Sequence, residues 1–97
     1  MAELIWTEKA TKSIEDIADF ILQDSFFYAK KTVKDIYSLS ESLKIFPNMG
    51  RKVPEYDDES IKEIFYKTYR IIYKIEIDKI LILSVISGFM DLTNKKL

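Results

Sequence analysis

The sequence contains no cysteine and no histidine. Without cysteine there is no disulfide framework, thiolate nucleophile or zinc ribbon. Without histidine the commonest general base and the commonest metal ligand are gone. Any chemistry therefore has to run on carboxylate, lysine, arginine, tyrosine or hydroxyl groups, and no cofactor is expected. The run Asp57-Asp58-Glu59 resembles a ligand set only superficially. A calcium loop needs alternating ligands, and three consecutive acids lack that spacing, so no metal is expected either. An excess of one charge is also missing: 15 basic residues stand against 16 acidic ones, for a net charge of −1. A strongly basic chain would have pointed to nucleic acid, and this one does not. The longest apolar run, residues 80 to 86, is too short to span a bilayer. The opening MAELIWTEK has no apolar core of signal-peptide length, which makes cytoplasm the expected location and membrane partners unexpected.

Proline and glycine are scarce, two of each. Both prolines, Pro47 and Pro54, and one glycine, Gly50, fall within FPNMGRKVPE, residues 46 to 55. The rest of the chain is regular. Its 47% hydrophobic and 32% charged residues are an ordinary globular balance, and 97 residues suit one domain, expected to span residues 1 to 97. Residues 2 to 6 read as a short strand. Thr7 is placed to cap a helix in which Ala10, Ile14, Ile17, Ala18 and Ile21 recur at helical spacing. Asp24 and Ser25 offer a cap for a second helix, with Ala29, Val33, Ile36, Ser40 and Leu43 as its buried stripe, Leu39 and Phe46 alongside, and Pro47 stopping it. After residue 60 the period becomes alternating. IKEIFY, YRIIYKIEI and ILILSVI are separated by Lys67-Thr68 and Asp78-Lys79, which is hairpin spacing. In the middle run Tyr69, Ile71, Tyr73, Ile75 and Ile77 would share one face, and Arg70, Ile72, Lys74 and Glu76 the other. The last run is apolar on both faces, as a central strand would be. The expected architecture is α+β in the order β-α-α-β-β-β, a helical hairpin packed on a mostly antiparallel sheet. Arg70 and Lys74 would lie on its more open face, and Gly50 would supply positive φ at a turn.

Several stretches together resemble the RelE/ParE superfamily of bacterial toxins, and most closely its ParE-like branch. These are W-T-x-x-A in LIWTEKA, A-x-x-x-V-x-x-I in the second helix, F-P-x-x-G-R-x-V-P-E, and E-I-x-x-x-x-Y-R-I-x-Y in EIFYKTYRIIY. The resemblance covers nearly the whole chain, and the last two motifs at their mutual spacing are its most specific part. It implies the toxin of a type II toxin–antitoxin system, associated with plasmid stabilization and neutralised by a cognate antitoxin. ParE-like relatives inhibit DNA gyrase, whereas RelE-like relatives cleave mRNA on the ribosome. A homodimer and a heterotetramer with antitoxin are both compatible with it.

The two targets make different demands. Ribonuclease chemistry needs a base for the 2′-hydroxyl, cations for the phosphate and an acid for the leaving oxygen. Arg51 and Arg70, the only arginines, are the natural phosphate ligands, and Glu55 of the V-P-E motif is the candidate base. Lys52, Lys67 or Lys74 would add positive potential. Against this, Ser87, Gly88, Phe89 and Met90 occupy last-strand positions where relatives carry polar or basic groups. That favours a binder over an enzyme, and keeps open an inactive relative that only binds antitoxin. A plainer alternative has Arg70 cross-linking the sheet to a carboxylate such as Glu63. Tyr66, Tyr69 and Tyr73 read as core and rim packing in preference to base-stacking platforms. Phe26, Phe27 and Tyr28 place aromatic surface at the junction of the helices, where a partner could bury it.

Overall fold

The computed structural model describes residues 2–87. Strand β1 (Glu3–Trp6) leads into helix α1 (Glu8–Leu22) and helix α2 (Phe26–Glu41), followed by a 3-10 turn at Ser42–Lys44. Then come β2 (Arg51–Lys52), β3 (Ile61–Tyr66), β4 (Tyr69–Ile75) and β5 (Lys79–Ser87). The five strands form one sheet in the order β1-β5-β4-β3-β2. β1 runs parallel to β5 and every other pair is antiparallel. The expected α+β fold is present, with β5 flanked on both sides and one strand, β2, added to the expected order.

Both helix starts follow from their caps. The Thr7 hydroxyl accepts from Ala10 N at 3.1 Å and donates to Ile82 O at 2.8 Å, so one side chain starts α1 and ties it to β5. The Ser25 hydroxyl accepts from Tyr28 N in the same way at 3.1 Å. Further along α1, Ser13 accepts from Val85 N of β5 at 3.0 Å. The first helix thus sits on the sheet through hydroxyls as well as apolar contacts.

The face of the sheet under the helices carries the main core. Ala10, Ile14, Ile36 and Leu43 pack there against Ile64, Ile71, Tyr73, Ile80, Ile82 and Val85. In α2 the buried positions are Ala29, Thr32, Ile36 and Ser40, so Thr32 takes a place expected of Val33, which is only half-buried. Phe46 is exposed, because α2 ends at Glu41 and the 3-10 turn redirects the chain before Pro47. Ile77 is also exposed. Glu76 N bonds to Lys79 O and Ile75 pairs with Ile80, so the turn is Ile77-Asp78, one residue earlier than expected. The Lys67-Thr68 turn lies where expected, and Lys67 adopts φ 53° in place of the missing glycine.

The opposite face is not open at its centre. Val53 is fully buried there against Ile61 and Ile72, with Tyr56, Leu83 and Ile86 packed around them. The segment that follows β2 folds across β3 and β4 and covers the face that was expected to be exposed.

Candidate functional site

FPNMGRKVPE builds a compact corner. Tyr73 donates its hydroxyl to Pro47 O at 2.8 Å and accepts from Gly50 N at 3.1 Å. A Cβ on Gly50 would stand 2.5 Å from the Tyr73 oxygen and 2.6 Å from Glu63 O. Gly50 does not have positive φ, so that expectation is corrected: the position needs glycine because a side chain would have no room. Beyond it, Arg51 and Lys52 pair with Glu63 and Lys62 as a two-residue edge strand. Pro54 then occupies the second position of a turn closed by Tyr56 N on Val53 O at 3.1 Å, where its fixed φ is favourable. That turn aims Glu55 back over the sheet.

Four charged side chains meet under it as an alternating chain. Glu63 is 1% exposed and accepts from Arg51 Nε on Oε2 at 2.7 Å and from Arg70 Nε on Oε1 at 2.6 Å. Arg70, 4% exposed, donates Nη1 and Nη2 to the two Glu55 oxygens at 2.8 Å each. The fork-to-fork match of guanidinium and carboxylate is the strongest form of this contact. The Glu55 bonds hold the Arg70 guanidinium above its already high pKa, with Glu63 adding to the effect against the cost of burial. Burial and the nearby Glu55 charge together raise Tyr56. Two positive and two negative groups cancel. Among the described residues no buried side-chain polar atom lacks a hydrogen-bond partner.

The structure brings Arg51, Glu55 and Arg70 together, joined by Glu63. Arg70 is buried and held by two carboxylates, and of the three only Arg51 is exposed. Glu55 would have to release a guanidinium from both oxygens before taking a proton. The supporting lysines do not converge. Lys52 is tied to Asp57 and Glu59, while Lys67 lies in the turn before β4 and Lys74 near that strand's far end. Of the last-strand positions, Ser87 ends β5 exposed, and Gly88, Phe89 and Met90 lie outside the described residues.

The exposed part of the cluster is Arg51, whose side chain is 63% accessible and whose Cζ lies 5.4 Å from the Phe65 ring centre. A shallow cleft of about 400 Å³ opens beside it, lined also by Leu39, Met49 and Ile64. Phe65 and Met49 are both exposed at this edge. The sequence reading singled out Arg51 but missed these apolar neighbours. Their signal was the alternation of β3, which puts Phe65 on the face of Glu63.

The sequence profile of the ParE toxin of type II toxin–antitoxin systems, parDE, matches residues 4–92. The chain belongs to the ParE toxin family. A chain of the chromosomal ParDE toxin–antitoxin system from P. aeruginosa superposes with a TM-score of 0.75 at 22% identity. The match covers 90% of this chain and 96% of that one, and at this identity it bears on the fold. A conserved hypothetical protein from Helicobacter pylori aligns over 90% of this chain and 94% of its own, at 16% identity and a TM-score of 0.43, too low to carry an argument. No curated protein sequence matches significantly. This ParE-family chain keeps its motif residues Arg51, Glu55 and Arg70 in one place and commits two of them to each other. Among the described residues no group of three or more acids could hold a metal ion, and no helix is long and apolar enough to cross a membrane.

Proposed function

We propose that this chain is the growth-inhibiting toxin of a type II pair, acting by binding a protein target and neutralised by its own antitoxin. DNA gyrase is the target to test first. The observation that carries this reading is the composition of the exposed edge. An accessible arginine lies over Phe65, with Met49 and Leu39 lining the same cleft. Arginine, aromatics and methionine are the residues enriched where proteins dock, and an apolar cleft beside one cation suits a protein side chain better than a row of phosphates. The internal neutralisation of Arg70 and Glu55 points the same way, since it withdraws the groups that RNA cleavage would use. The family membership and the ParDE system of the structural relative support an antitoxin partner.

The test is pulse-labelling of DNA and protein synthesis in the first minutes after induction in bacteria. DNA synthesis is expected to fall first, and Arg51→Ala or Phe65→Ala to weaken that fall. An early loss of protein synthesis with cleaved mRNA would replace this reading with ribonuclease action. Unchanged rates from a folded, abundant protein would leave an antitoxin-binding relative without activity.

A further inference from the structure

The exposed end of the charged chain has an outward edge with nothing on it. Arg51 spends Nε on the Glu63 carboxylate at 2.7 Å and lays its face on Phe65, 5.4 Å from Cζ to the ring centre. Two contacts thus fix the guanidinium plane, and its terminal nitrogens meet no acceptor among the described residues. Glu63 has no oxygen left to offer, because Arg70 takes the other one. The remaining acids of the flanking segments are engaged elsewhere: Glu55 with Arg70, Asp57 and Glu59 with Lys52, and Glu41 with Lys44.

The wall beside this edge is apolar. Leu39, Met49, Ile64 and Phe65 line the cleft of about 400 Å³ in which Arg51 stands. A guanidinium held at Nε and stacked on a ring presents a pair of N–H donors outward, the geometry that a carboxylate accepts on both oxygens. Because the plane is already fixed, little side-chain freedom is lost when a partner docks. A run of phosphates would meet only one available cation here, since Lys52, next along the edge, is held by Asp57 and Glu59.

We infer that the Arg51 edge receives an aspartate or glutamate of the protein target, next to a bulky apolar side chain that packs between Leu39, Met49 and Phe65. The inference rests on the target-binding reading above and adds the chemistry of the residue pair that is recognised. The charge pair fixes register and refuses surfaces that lack the acid, while the apolar neighbour supplies most of the affinity.

The test places opposite charges at Met49, a solvent-exposed residue of the cleft. Met49→Lys and Met49→Glu both lose the methionine, so the ratio between them reports charge. Each is induced in bacteria over a range of levels, and the cellular concentration that gives half-maximal growth arrest is read. Unfolding curves of the purified variants check that both are folded. Met49→Glu is expected to need on the order of tenfold more protein than Met49→Lys. Arg51→Lys keeps the charge, loses the fork and should need severalfold more than wild type. A target allele with Asp or Glu changed to Lys that resists wild type, and yields again to Met49→Glu, would fix the pairing. Equal potency of the two Met49 variants, or the reverse order, would overturn the acidic partner while leaving a protein-binding toxin intact. Undiminished arrest by Arg51→Lys would overturn the two-pronged contact. The expected order accompanied by cleaved mRNA would make the anion a phosphate and overturn the inference in favour of RNA. If wild type arrests nothing, the toxin reading falls and this inference with it.

Discussion

The two faces of the sheet solve the same problem with different material. Under the helices, Ile71, Tyr73, Ile80, Ile82 and Val85 make an ordinary apolar core. On the other face Val53, Ile61 and Ile72 form a much smaller cluster, and beside it lie two buried charges, Glu63 and Arg70, joined to a half-buried Glu55 and an exposed Arg51. The apolar face gains stability from area removed from water and tolerates changes that keep volume. The charged face gains little net free energy, because taking ions out of water offsets most of their attraction. What it gains is direction, since an Arg70 fork that fits Glu55 holds the 53–56 turn in one place.

The largest expected effect tests that difference from the charged side. Glu63→Ala strands two arginines, one of them buried, and should cost about 3–5 kcal/mol in urea unfolding. On the apolar side Ile82→Ala should cost about 2–5 kcal/mol, the usual range for a cavity in a packed core. The comparison sharpens when Glu55, Glu63 and Arg70 go together. Glu55→Leu/Glu63→Met/Arg70→Met removes these ions together and leaves unpaired only Arg51, whose side chain is solvent-exposed, so its stability should equal or exceed that of wild type. A loss of several kcal/mol in the triple variant would show that the ion chain is a net source of stability.

Gly50→Ala comes next. The added methyl would push into Tyr73 and the β3 backbone, and about 1–3 kcal/mol of lost stability is expected, read as a lower unfolding midpoint.

The smallest effect lies at alkaline pH. Tyr66 donates to Asp35 at 2.7 Å, and that bond pushes the phenol up to about 12 while it and Lys31 pull Asp35 down. Burial raises Tyr73 as well. A raised phenol pKa means the folded state keeps a proton that the unfolded state releases. The stability this contributes is present below pH 10 and declines as pH rises from 10 toward 12. Tyr66→Phe should flatten that decline in a series of unfolding curves. For Asp35 the sign is reversed: its contribution is present at neutral pH and is lost in acid, as pH falls below the ordinary aspartate value and through the lowered one.

Much of this was legible in the residues. Thr7 and Ser25 announced the helix starts, the change of period after residue 60 announced the hairpins, and the proline-glycine segment marked the corner that gathers Arg51 and Glu55 near Arg70. Three things were not legible, each for a physical reason. Arg51 and Lys52 carry no apolar alternation, and β2 exists because its partner Glu63 holds it. Ile77 fits the strand pattern, yet pairing of Ile75 with Ile80 decides where the chain turns. Burial of Arg70 depends on a loop folding over it, which no period in β4 encodes. Glu63 itself could be placed, since a two-residue turn at Lys67-Thr68 sets it diagonal to Arg70. Its second bond, to Arg51, needed the edge strand.

The central claim is that Arg70 and Glu55 shape the protein and do not react. It is tested most directly by inducing the double variant Glu55→Leu/Arg70→Met, which keeps the Arg51–Glu63 pair, beside wild type and pulse-labelling DNA synthesis. With the variant shown to be folded, arrest as deep as that of wild type is the predicted result. A folded variant that no longer arrests growth would contradict it and return those side chains to the site of action.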